Sequence, residues 1–226
     1  MTDTDADPLL CVIGWWRSGT IWATRLIAQA INSPSQTRYS KIPFRYKRDP
    51  VVWGEGRPGG IIRRLHKWSH GYQYQSPVVL VVRDPRAVAV SHTYFRGHEK
   101  EKGAFDAHFR WTVGNTVGNW VMYYQAWVKN DKVAAIVRYE DILDNPQVEL
   151  CTIVEKLVSQ GVPIHHTPSS SDIATAVKDN VFDVMENHAK RKGIRDDWKG
   201  CLSRDVQLWW EVEREKHEIV RRLGYG

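Results

Sequence analysis

Three short runs of valine, leucine and isoleucine cross this chain without polar alternation: LLCVI at 9–13, PVVLVV at 77–82 and KVAAIV at 132–137. A strand with one face in water alternates apolar and polar residues, so unbroken runs of this kind suit strands buried on both faces. Helical periodicity lies between and after them, over 18–31, 85–97, 105–129 with a break near Gly114 and Gly118, 146–159, 172–190 and 203–223. Strands alternating with helices pair in parallel through right-handed crossovers. The expected fold is therefore α/β, a three-layer αβα arrangement with a central parallel sheet and a candidate edge strand at 61–66. The 226 residues suit a single domain, 1–226, and carry no repeats or low-complexity tracts.

Residues 32–60 hold much of the proline and glycine and show no clean period. A loop this long either contacts a substrate or is a surface excursion. Lys and Arg total 32 against 26 Asp and Glu, and the basic residues gather in RYKR at 45–48, RRLHK at 63–67 and KRKGIR at 190–195. Clustering favours an anionic partner. A nucleic acid, an acidic membrane surface and a multiply phosphorylated small molecule all fit it, as does a plain solvated face.

Cys11, Cys151 and Cys201 lie far apart and form no CxxC pair, which reads as free thiols in a reducing compartment. The segment MTDTDADPLL lacks the basic and apolar regions of a signal peptide, and no apolar run approaches the roughly 20 residues that span a bilayer. A cytoplasmic protein with no membrane partner is expected.

The first apolar run ends in GWWRSGT, residues 14–20, and a helical pattern follows. That places a glycine-bracketed turn at a strand's carboxyl end and a helix's amino end, the anion site of an α/β sheet. Unpaired backbone N–H groups there carry partial positive charge. Ser18 and Thr20 add hydroxyls, and Arg17 adds a permanently charged fork of donors. A nucleotide-hydrolysing P-loop places Lys and then Ser or Thr after its second glycine, whereas Gly19 precedes Thr20 and Ile21. A magnesium-dependent NTPase is thereby disfavoured. The same turn also reads as a simple connection capped by Ser18 or Thr20.

VVRDPRAVAVS, residues 81–91, repeats the strand, charged turn and helix. Asp84 as cap and Pro85 at the first helical position need no ligand. Arg83 stands at the strand end, and Ala87 and Ser91 share a helix face, so Arg83 and Ser91 can hold one phosphate between them. VRYEDILDNP, 137–146, which contains RYED, follows the third run, and RKGIRDDWKG, 191–200, is a basic loop; each alone reads as a connection.

Taken in order, these four segments resemble the cytosolic-type sulfotransferase family, whose donor is 3′-phosphoadenosine 5′-phosphosulfate (PAPS) and whose product is adenosine 3′,5′-bisphosphate (PAP). WWRSGTIW is similar to the family's 5′-phosphosulfate loop, YPKSGTTW, and VVRDPRAVAVS to its 3′-phosphate motif. The resemblance implies a P-loop NTPase-like sulfotransferase fold. It implies that Arg17, Ser18, Gly19 and Thr20 hold the 5′-phosphosulfate and that Arg83 and Ser91 hold the 3′-phosphate together with Arg191, Lys192 and Gly193. Trp22 would stack on adenine and Tyr139 approach it. The chain departs from the family at Arg17 for lysine, Ile21 for threonine and Asp196 for glycine, and is short for it.

Sulfuryl transfer needs an in-line acceptor and stabilised charge on the leaving oxygen, with a base for the acceptor proton. The family places a histidine just after a lysine, as KTH, ahead of the 3′-phosphate strand. RLHKWSHGYQ, 64–73, offers Lys67 with His70 as the base, and His66 as its rival. His66 and His70 are also spaced as metal ligands on a helix, but no third ligand is evident, so no metal is expected. The implied acceptor is a small molecule bearing a hydroxyl or amine, and the chain is compatible with a homo-oligomer. The rival readings are a P-loop kinase using ATP, a non-catalytic nucleotide binder, and a nucleic-acid-binding protein; the scatter of basic residues over several turns disfavours the last. Trp120, Tyr124 and Trp127 are expected in the core. The pairs Trp15 with Trp16 and Trp209 with Trp210 are expected there too, with acceptor walls as the alternative.

Overall fold

The computed structural model describes residues 10–31, 62–65, 76–114, 119–162, 164, 167–180 and 196–225. Its strands are β1 (Leu10–Gly14), β2 (Ile62–Leu65), β3 (Val78–Val82) and β4 (Val133–Arg138). They form one parallel sheet in the order β2-β1-β3-β4, with Val12 opposite Val79 and Leu80 opposite Ile136. The three apolar runs and the edge strand are thus where the sequence puts them, each starting about one residue later.

Unbroken apolar sequence here has the expected cause. Leu10, Val12, Val79 and Val81 face one helical layer, while Cys11, Ile13, Val78, Leu80 and Val82 face the other. The first layer holds α1 (Thr20–Ile31), α5 (Tyr139–Asp144), α6 (Pro146–Ser159) and α7 (Ser170–Asp179). The second holds α2 (Pro85–Arg96), α3 (Ala104–Val113), α4 (Trp120–Val128), α8 (Trp198–Cys201), α9 (Arg204–Glu213) and α10 (Glu218–Arg222). The three-layer reading therefore holds. Trp120, Tyr124, Trp127 and Trp210 are fully buried in the second layer. Truncating a tryptophan packed in this way costs about 3–5 kcal/mol.

Local chemistry sets the element ends. The Asp84 carboxylate accepts from the Arg86 N–H at 2.8 Å, Pro85 occupies the first turn, and Gly97 closes α2 in the left-handed region. Ser169 and Asp172 cap α7 reciprocally. The long pattern at 105–129 is interrupted, as expected, between α3 and α4. The pattern at 203–223 is not one helix: α9 passes into a 3₁₀ turn at Arg214–Lys216, and His217 is extended before α10. Ion pairs of Glu211 with Arg214 and of Glu213 with Lys216 hold that turn. YEDILD, read as a connection, forms the short helix α5.

Because β1 has β2 on one side and β3 on the other, the chain reverses its winding direction at β1. A crevice opens at such a point beyond the strand carboxyl ends, and ligands of α/β sheets bind there. Both charged turns singled out in the sequence, after β1 and after β3, flank it.

Candidate active site

The turn after β1 is tightly built. Gly14 passes so close to β3 that a Cβ atom there would lie 2.6 Å from the Val81 carbonyl oxygen. Two residues of the turn are left-handed, Arg17 at φ 67° and Gly19 at φ 83°. For a residue with a Cβ that conformation costs about 1–2 kcal/mol, so neighbours must enforce it at Arg17. They do so through its carbonyl, which accepts from Arg83 Nη1 at 2.9 Å. Gly19 could not be replaced cheaply, since a Cβ would collide with the ring of Tyr139.

Beneath the turn lies the phenol of Tyr124. Its single hydrogen goes to the Val81 carbonyl at 2.8 Å, and its oxygen accepts from the Trp15 N–H at 3.0 Å. The third contact, with Ser18 Oγ at 3.1 Å, must then be a bond donated by Ser18. Burial pushes the Tyr124 hydroxyl well above the ordinary tyrosine range, so it stays a protonated donor. Ser18 is fully buried, and its N–H also bonds within the turn, to the Trp15 carbonyl at 3.1 Å. Both of its donors thus hold the turn itself. The N–H groups of the first turn of α1 have no intrahelical acceptor and are the donors that a helix start offers an anion.

The second charged turn meets the first. Arg17 Nε donates to Ser91 Oγ on α2 at 3.2 Å, and the Arg83 guanidinium lies 4.3 Å above the Tyr139 ring. Tyr139 in turn meets Trp22 edge to face at 5.8 Å. Trp22 and Tyr139 are buried against each other, and Trp22 Nε1 donates to the Asn180 carbonyl at 2.7 Å. Arg83 is only 8% exposed, yet its Nε makes no hydrogen bond among the described residues. A buried guanidinium donor left unsatisfied is costly and points to an acceptor oxygen supplied from elsewhere.

Arg17, Ser18, Gly19, Thr20, Trp22, Arg83, Ser91 and Tyr139, drawn from three segments of the sequence, therefore lie together at the carboxyl ends of β1 and β3. His66, Lys67, His70, Arg191, Lys192 and Gly193 lie outside the described residues, as does the 32–60 loop. Among the described residues no group of three His, Cys, Asp or Glu side chains is placed to hold a metal ion. Nor is any described helix long and apolar enough to cross a membrane.

One feature of the surroundings departs from expectation. Trp15 is buried against Tyr123 and Trp111, whereas its neighbour Trp16 is 44% exposed. Trp16 sits 6.3 Å from Trp111, and Phe95 lies under the Arg17 guanidinium at 4.8 Å. Phe95 and Trp111 are also exposed, so an apolar shelf adjoins the charged crevice. The pair splits because successive residues of a turn point apart. Trp209 is partly buried beside the fully buried Trp210.

Residues 75–208 match the sulfotransferase domain family, and the chain belongs to it. Solved structures agree in fold. A mouse sulfotransferase, SULT7A1, complexed with PAP, superposes with a TM-score of 0.65 at 17% identity, covering 95% of this chain and 87% of that one. Retinol dehydratase in complex with androsterone and the inactive cofactor PAP gives a TM-score of 0.64 at 16% identity, covering 95% and 82%. A retinol dehydratase complex with retinol and PAP gives 0.61 at 15% identity over the same shares.

Proposed function

We propose that this sulfotransferase moves the sulfuryl group of PAPS to a hydroxyl or amine of a small molecule and releases PAP. The observation that carries the reading is the meeting of the two charged turns at the β1 and β3 ends. There Arg17, Ser91 and Arg83 lie side by side, and the buried Arg83 Nε has no acceptor among the described residues. An anionic oxygen fits that donor set. A ligand with two separate phosphates fits two adjoining charged turns better than a single phosphate does.

Arg17, Gly19 and Thr20, with the first N–H groups of α1, would hold the 5′-phosphosulfate on a turn that Ser18 braces. Arg83 and Ser91, joined by Arg191, Lys192 and Gly193, would hold the 3′-phosphate, with Trp22 and Tyr139 at the adenine. When bound, the donor supplies an activated sulfuryl group. A sulfuryl group carries less anionic charge than a phosphoryl group, so fixed cations and positioning suffice without a metal. Arg17 neutralises charge on the leaving oxygen and, unlike a lysine, cannot give up a proton there. His70 would take the acceptor proton, with Lys67 three positions before it in sequence. Trp16, Phe95 and Trp111 offer an acceptor an apolar face next to Arg17, which supports an acceptor with an apolar body.

The base is tested by His70→Ala, which is expected to lower kcat by about a hundredfold or more while PAP affinity is unchanged. Wild-type turnover in that variant would move the role to His66 or to another group.

A further inference from the structure

The peptide that joins Arg83 to Asp84 is gripped at both of its polar ends. Its carbonyl, that of Arg83, accepts from Trp120 Nε1 at 3.1 Å. Its N–H, that of Asp84, donates to Glu140 Oε1 at 2.9 Å. Trp120 and Glu140 are both buried, and neither is a neighbour of β3 in sequence. A peptide plane held at both ends cannot rotate, and the Arg83 side chain departs from that plane.

Both grips are touched by one residue, Tyr225. Its hydroxyl donates to Glu140 Oε2 at 2.6 Å, and its ring packs edge to face on Trp120 at 6.0 Å. The Arg138 guanidinium lies 4.7 Å over the same ring. Burial and the Glu140 charge raise the Tyr225 hydroxyl well above the usual tyrosine range, so it remains a donor. A bond from a phenol to a buried carboxylate is of the stronger kind. A polar cavity of about 160 Å³, lined by Asp84, Glu140, Arg138 and Tyr225, adjoins these groups.

Arg83 is the residue whose aim matters here. It steadies the strained Arg17 carbonyl with one nitrogen and keeps a second, Nε, without a partner among the described residues. We propose that Tyr225, through Glu140 and Trp120, is a positioning residue for the donor site, fixing the Arg83–Asp84 peptide and so the direction from which Arg83 meets the 3′-phosphate. The proposal rests on the PAPS reading above and adds to it a contact 85 positions away from Glu140 in sequence.

Tyr225→Phe keeps the ring packing and removes only the hydroxyl. Calorimetric titration with PAP is expected to show about fivefold weaker binding, the loss set by one charge-assisted hydrogen bond acting at second hand. In an Arg83→Ala background the same change should cost less than about twofold, because the residue being positioned is gone. The donor KM should rise with the acceptor KM unmoved. Glu140→Gln should follow the same pattern and serves if Tyr225→Phe does not fold. Unchanged PAP affinity, or an equal loss in both backgrounds, overturns the positioning role and leaves Tyr225 a structural tie. If the wild-type protein does not bind PAP, the donor reading itself falls, and the positioning role with it.

Discussion

Two regions on either side of Arg17 invert the usual distribution of polarity in opposite ways. At the strand ends, Arg83, Ser91 and Glu140 are buried and bonded to one another's segments. On the α2 and α3 surface, Trp16, Phe95 and Trp111 are 42–45% exposed. Buried charge and exposed aromatic rings are each unusual, and each is informative where it occurs. Their adjacency shows how one short turn can serve two chemistries: Arg17 reaches Ser91 in the polar region and caps the Phe95 ring in the apolar one. The polar side keeps Arg83 Nε without a partner among the described residues, and the apolar side exposes its rings.

The sharpest way to break this division is at Arg83. Arg83→Ala removes a buried cation whose Nε has no partner among the described residues, and should weaken PAP binding by about a hundredfold. Arg86→Ala is the control. Its charge is already met by Asp84 at 2.7 Å and its guanidinium lies 3.9 Å over Trp198, so PAP affinity should change by no more than about threefold. Equal losses in calorimetry would contradict the assignment of the two arginines.

Smaller effects are expected on the apolar side. Trp16→Ala should raise the KM for an apolar acceptor about fivefold and leave PAP affinity alone. A loss of PAP binding in that variant would erase the distinction between the regions.

The smallest effect concerns His92, which stacks on Trp111 at 5.4 Å between the two regions. Burial, together with His108, Arg96, Arg17 and His98, lowers its pKa from 6.5 to about 4. His108 is lowered as well, first by burial. A folded-state pKa below the unfolded value means that the unfolded chain binds more protons in between. The stabilisation is therefore complete above pH 6.5 and lost as pH falls towards 4. Thermal unfolding should show Tm falling between about pH 7 and 5, and falling less in His92→Gln. Parallel curves for the two proteins would remove His92 from the account.

The fold was legible because burial on both sheet faces is written as unbroken apolar runs, and the caps at Asp84 and Ser169 follow local rules. Helix ends were missed where the local signal is weak: YEDILD is only six residues, and the 3₁₀ turn Arg214–Lys216 interrupts a helical pattern that runs on through it. Within the site, Arg17, Arg83 and Ser91 could be found from their spacing after strands. Tyr124 was legible as core but not as the support of the turn after β1, since Trp15 and Ser18 lie 109 and 106 positions from it. Glu140 and Tyr225 carried no local signal at all, because their partners come from other segments. Trp15 and Trp16 were indistinguishable in sequence, and only the direction of the turn separates them.

The most direct measurement is calorimetric titration of the wild-type protein with PAP and, separately, with ATP and magnesium. The account predicts PAP binding at least about tenfold tighter than ATP, carried by the second phosphate at Arg83 and Ser91. Preference for ATP with magnesium, or no binding of PAP, would contradict it.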